Sequence, residues 1–227
     1  MKYIDPTGMF YDDYYSNING KYLGTDGMPS DKMRLIDKDR FNTIKNDGTL
    51  NIVQKGQTLQ AEGTEITINN TQIQSDLQAV ADNSTSSGLE HQTYIVLDRS
   101  SATITSVNGS TGTHNQVTIE SYPAPATGVN FIGSPGGSIL IGQAHGHPAS
   151  TTPGTVTAKT MSSLDASTSS SLQIPVYGID AMDGAAAGSQ VGVHRVTPNG
   201  TITNNVGKTS NNFNIGRESL EIWGKKR

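Results

Sequence analysis

The chain has 227 residues, 33% of them hydrophobic and 16% charged, with 25 glycines and no cysteine. Without cysteine there is no disulfide and no thiolate metal site, so any metal must be held by histidine and carboxylate. A formal net charge of −4 argues against nucleic acid or an anionic membrane as the main partner, and no run of 18 apolar residues is present to cross a bilayer.

In chain order, residues 1–60 read as a turn-rich β arm with a hairpin linker, and residues 61–227 as the main domain. "YIDPTGMFYDDYYSNINGKYLGTDG" carries turn signals at Asp5-Pro6-Thr7-Gly8, Asn19-Gly20 and Asp26-Gly27. Short aromatic hairpins of this composition bury little alone and must pack on something larger. In "RFNTIKNDGTLNIVQ" (40–54), Asn46-Asp47-Gly48 lies between alternating apolar runs, which predicts a hairpin. "TEITI" (64–68) reads as a short strand. Ile73, Leu77 and Val80 share one helical face, predicting a helix over 70–83 capped by Asn70 or Thr71. Strands are predicted at 93–98, 102–107, 116–121 and 138–145, a weak helix at 162–172, strands at 174–181 and 191–198, and a terminal helix within 213–227. The order is that of a mixed α/β domain.

Two of the five histidines, His145 and His147, sit in "GQAHGHPAS" at the end of the apolar strand "SILIGQAH". Residues i and i+2 of a strand point to one side, so both imidazoles can reach one ion at a sheet rim. A metal site needs further ligands. Ser162 is a good helix N-cap, and Asp165 three residues later lies on the same face. The carboxylate can complete a His₂Asp set, and the hydroxyl could hold a developing oxyanion. The plainer reading is a capping box worth about 1 kcal/mol of helix stability. His91 is expected to face away from the site, His114 to be exposed in a turn, and His194 to point outward from its strand. Trp223, the single tryptophan, is expected to anchor the terminal helix.

The series "HGHP…SSLD…LQIPVYGID" resembles the JAMM (MPN+) zinc metalloprotease domain, whose pattern is H-x-H-P, then S-x-x-D at a helix start, then an I-P-V-Y-type strand. The resemblance covers about residues 70–200. It implies a JAB/MPN, cytidine-deaminase-like fold, with a mixed sheet flanked by helices. It further implies Zn²⁺ held by His145, His147 and Asp165, Glu90 as general base, and Ser162 assisting the tetrahedral intermediate. One departure is plain: fourteen residues separate His147 from Ser162, about twice the usual number. Residues 149–160 are read as a longer loop on the cleft rim. "YIDPTGMFYDDY" resembles the end of an Rhs repeat-associated core, where a D-P-x-G turn closes the shell of a polymorphic toxin.

Together the resemblances imply a zinc-dependent peptidase or isopeptidase delivered as the C-terminal effector of such a toxin. Its expected partners are a protein or peptide substrate and a cognate immunity protein. No charged-then-apolar leader follows Met1, so the chain is expected to be secreted as part of a larger exported protein. Two alternatives stay open: a catalytically inactive JAB-fold binding module, and a structural end-piece of an Rhs shell.

Overall fold

The computed structural model describes residues 11–119, 137–148, 161–181, 188–209 and 214–224. The first strands are β1 (Tyr11–Ser16), β2 (Tyr22–Pro29) and β3 (Met33–Ile36); with β4 (Thr64–Glu65) they form a sheet of order β2-β1-β3-β4. Strand alternation explains its two faces. Tyr14 and Ile36 point to one side and pack with Phe41, Ile44 and Leu59. Tyr15, Met33 and Leu35 point to the other and join the main core beside Ile73 and Leu97. The arm is therefore more than a set of hairpins: one of its faces has its own core.

That core is closed by α1 (Lys38–Asn46) and α2 (Ile52–Glu62), where the sequence predicted a β-hairpin about Asn46-Asp47-Gly48. The correction has a local cause. The Asp37 carboxylate caps α1 by accepting from the Asp39 and Arg40 amides, and Asn51 and Gln54 form a reciprocal capping box on α2. Phe41 and Ile44, three residues apart, are both buried, as one helix face requires. The turn residues do make a turn, but it joins helices.

The remaining elements are β5 (Thr67–Ile68), α3 (Asn70–Ser87), β6 (Gln92–Asp98), β7 (Thr103–Asn108), β8 (Ser138–Pro148), α4 (Ser163–Leu172), β9 (Val176–Ala181), β10 (Gly192–Val196), β11 (Ile202–Lys208) and α5 (Ile215–Gly224). Their strands form a seven-stranded sheet of order β11-β10-β9-β8-β6-β7-β5. The β8/β9 and β5/β7 pairs are parallel and the others antiparallel, so the sheet is mixed and the class α/β. "TEITI" is split between the two sheets at Ile66, whose amide donates to the Met33 carbonyl. The helix predicted at 70–83 runs on to Ser87. Residues 116–119 of the predicted strand 116–121 are in no strand; the Gln92 side chain donates to the Thr118 carbonyl. Strand β11 was not predicted: "ITNNVGK" has little apolar alternation. Loop 149–160 lies outside the described residues, as do residues 120–121.

One sheet face is covered by α3 and α5, through Ile73, Leu77, Val80, Ile215 and Leu220. The other carries α4, with Met161, Val176, Val196 and Ala166 in contact. A β-bulge decides which face receives the histidines. Ile95 pairs with Gly142 but Val96 pairs with Leu140, leaving Ile141 as the extra residue. Ile139 and Ile141 are in the α3/α5 core, yet Gly142, Ala144 and Gly146 also face that side. Gln143, His145 and His147 are thereby turned toward α4. Small residues at 142 and 146 suit the crowded face: a Cβ at Gly146 would lie 2.7 Å from Ser84 Cβ on α3 and 3.3 Å from the Val80 carbonyl.

Candidate metal centre

His145 and His147 project from the end of β8, and Asp165 from the first turn of α4. All three are buried, at 4%, 6% and 7% exposure. The two Nε2 atoms are 2.9 Å apart, His145 Nε2 is 3.2 Å from Asp165 Oδ1, and His147 Nε2 is 3.7 Å from Asp165 Oδ2. A tetrahedral ion with bonds of about 2.0–2.1 Å sets its ligand atoms roughly 3.3 Å apart. The observed separations bracket that value, so the three side chains can hold one metal ion. The donor set, two imidazoles and a carboxylate, suits Zn²⁺ and its borderline neighbours.

Each ligand is positioned by a local feature. Ser162 caps α4 in a full capping box, with its amide donating to Asp165 Oδ2 at 2.6 Å and its hydroxyl at 2.8 Å. Burial pushes the Asp165 carboxyl up, but the hydrogen bond and charge of His145 and the two Ser162 donors outweigh it and hold it well below the usual carboxylate range. The carboxylate is thus ionised and aimed at the histidines. His147 lies over Gly178 of β9, where a Cβ would meet its Cε1 at 2.6 Å and its Nδ1 at 3.1 Å. Only glycine leaves room for the ring there. His145 Nδ1 is 3.1 Å from Gln143 Oε1.

The ligands open onto a cleft of about 500 Å³, also lined by Glu90, Ser162, Leu164 and residues 115–119. Glu90 is 6% exposed and sits just before β6, held by backbone bonds to Thr113 and Gly112. The structure thus brings together all five residues singled out from the sequence. It gives Ser162 a narrower setting than expected: its hydroxyl proton is directed at Asp165, so an oxyanion would have to compete for it.

The other histidines fare differently. His91 bonds Ser87 and Thr111, away from the ligands. His114 is half-buried and not exposed, because its Nδ1 reaches the Gly88 carbonyl at 2.7 Å. His194, expected to point outward, is buried at 3% and lies 3.0 Å from Asp180 Oδ2. The reason is that β11 pairs outside β10 and brings Asn204 Oδ1 and the Asn205 amide against His194 Nδ1. Sequence reasoning passed over Gln143 and Gln92. The alternation in "QAHGH" was the available signal, since Gln143 shares the face of both histidines.

No protein-family model matches this chain, and no curated protein matches it. Among the described residues, no helix is long and apolar enough to cross a membrane.

Proposed function

We propose that this protein is a zinc-dependent peptidase or isopeptidase of the JAMM/MPN+ type, acting as the C-terminal effector of a polymorphic toxin. The observation that supports the reading is the convergence of His145, His147 and Asp165 at one cleft with Glu90 on its wall. Zn²⁺, when bound, supplies a Lewis acid and an acidified water. Glu90 takes the proton of the attacking water and passes it to the leaving amine. Ser162 holds Asp165 in place, and aids the oxyanion only if its hydroxyl turns away from the carboxylate. Thr168, Leu164 and residues 115–119 flank the reacting bond and receive an extended peptide; the cleft volume is within the range of about 300–1,000 Å³ typical of ligand sites.

The test is a digest of a mixed protein extract by the zinc-loaded chain, read as new N-termini by mass spectrometry. New termini with wild type and none with His147→Ala are expected. The same termini with both, or none with either, would reject the peptidase reading. A binding module is favoured by one observation: the capping box accounts for the Ser162–Asp165 pairing without any metal. Zinc content separates the two, because a bare binding module has no need of the ion. The Rhs link is tested by gene context, with a long upstream Rhs frame and a small downstream immunity gene expected.

A further inference from the structure

Gln143 and Gln92 are both buried, at 1% and 2% exposure, and neither carries charge. They form a chain of hydrogen bonds from the cleft wall to the ligand His145. Gln92 Nε2 is 2.9 Å from the Thr118 carbonyl, Gln143 Nε2 is 3.2 Å from Gln92 Oε1, and His145 Nδ1 is 3.1 Å from Gln143 Oε1. The direction of this chain is forced from one end. A carbonyl oxygen only accepts, so Gln92 must present its NH₂ to Thr118 and its oxygen to Gln143. Gln143 must then present its NH₂ to Gln92 and its oxygen to His145. His145 Nδ1 must carry a hydrogen, which leaves Nε2, the atom facing His147 and Asp165, as the nitrogen that can give its lone pair to a metal. Reversing any member would set two acceptors or two donors together in a buried site, at a cost of about 1–3 kcal/mol.

We infer that Gln143 and Gln92 are positioning residues that lock His145 in the Nδ1–H tautomer and so prepare its Nε2 to bind the metal. The inference rests on the metal-centre reading for its purpose, but not for its geometry. It ties the cleft segment at Thr118 to the ligand. Partners of a ligand's second nitrogen fix its tautomer and orientation, and their loss costs typically ~10–100-fold in metal affinity.

The test uses the full chain labelled with ¹⁵N-histidine, with His145→Ala assigning the resonance. In the metal-free wild type, the imidazole shifts should show the proton on Nδ1. Gln143→Met, similar in shape but without the amide, should give mixed tautomers and a zinc affinity about 10–100-fold weaker by chelator competition. Gln143→Glu keeps an acceptor at the same reach and should restore the Nδ1–H form. Gln92→Leu should have a smaller effect, since it frees Gln143 to turn without removing the acceptor. A wild-type His145 with no proton on Nδ1 overturns the inference whatever the variants do. So does wild-type tautomer and affinity in Gln143→Met. Failure of the metal reading gives a different result: zinc affinity absent in wild type, or unchanged in His145→Ala, with the Nδ1–H tautomer still present.

Discussion

At the residue scale, ligands and base should separate cleanly. Glu90→Gln keeps shape and polarity but cannot accept a proton. It should retain zinc and lose peptidase activity, or toxicity on expression, by ~10²–10⁴-fold. His147→Ala should lose metal and activity together. Full activity in Glu90→Gln would make Glu90 a wall residue and nothing more. Gly178→Ala probes the site from beneath. The added methyl meets the His147 ring at Cε1, so the imidazole must move off its axis. Zinc affinity should fall by ~10-fold or more, the range seen when a ligand's orienting contacts are lost. Isothermal titration checks this, and wild-type affinity would mean that the ring has slack.

At the element scale, two contacts set how the strands and helices lie. β8 approaches α3 through Gly146, where a methyl collides with Ser84. The Ser84 hydroxyl also accepts from the His91 amide, so the serine is not free to swing away. Gly146→Ala should destabilise the fold by about 1–3 kcal/mol as an overpacked core position, measured by urea unfolding. The second contact is Asp12 with Arg34, between β1 and β3. The Asp12 carboxylate is wholly buried, accepts from Arg34 Nε at 2.6 Å and from the Lys32 amide at 2.9 Å. Burial pushes this carboxyl up, but the Arg34 hydrogen bond and charge, with donors from Ser30 and Lys32, hold it below its ordinary value. Asp12→Asn leaves the half-buried Arg34 against a neutral amide and should cost roughly 1.5–3 kcal/mol at pH 7, the range of a hydrogen bond to a charged group. Because the folded carboxyl titrates below the unfolded one, its contribution is full above pH ~4 and is lost as pH falls through the lowered value. The gap between wild type and variant should therefore narrow below pH ~4. A constant gap would show that the loss is one of packing and not of charge.

At the scale of the whole molecule, the two sheets share a core. Tyr15, Met33 and Leu35 of the first pack with residues beneath the second. The ends are tied as well: Trp223 Nε1 donates to the Asn19 carbonyl, Lys21 Nζ lies 3.3 Å over the Trp223 ring, and Arg217 pairs with Asp31. Trp223 thus anchors the terminal helix both to the core, against which it packs, and to the arm. Three large buried side chains at ~1.5–3 kcal/mol each amount to a sizeable part of a domain's stability. The chain should melt in one cooperative transition, coincident by far-UV circular dichroism and tryptophan fluorescence. Removing residues 1–60 should lower the midpoint and expose apolar surface to dye. Two separate transitions, or an unaffected truncated chain, would show that the sheets are independent.

Several features of the site are local, and so are legible in the sequence. His145 and His147 share a strand face by the two-residue period, and Ser162 and Asp165 share a helical turn by capping chemistry. Helix α3 and strands β6 to β10 follow from periodicity for the same reason. The helices at α1 and α2 were not legible, because the same apolar residues fit either period until Phe41, Ile44 and Leu59 find Tyr14 across the small core. Nor was the fate of His194, which turns on a pairing with β11 that the polar sequence does not announce. Most of all, the bulge at Ile141 belongs to tertiary structure. Two-residue alternation alone puts Ile139, Ile141, His145 and His147 on one face; the extra residue turns the histidines to the other. That shift depends on how β8 registers against β6 while its isoleucines stay in the α3/α5 core, and register is a property of two strands together.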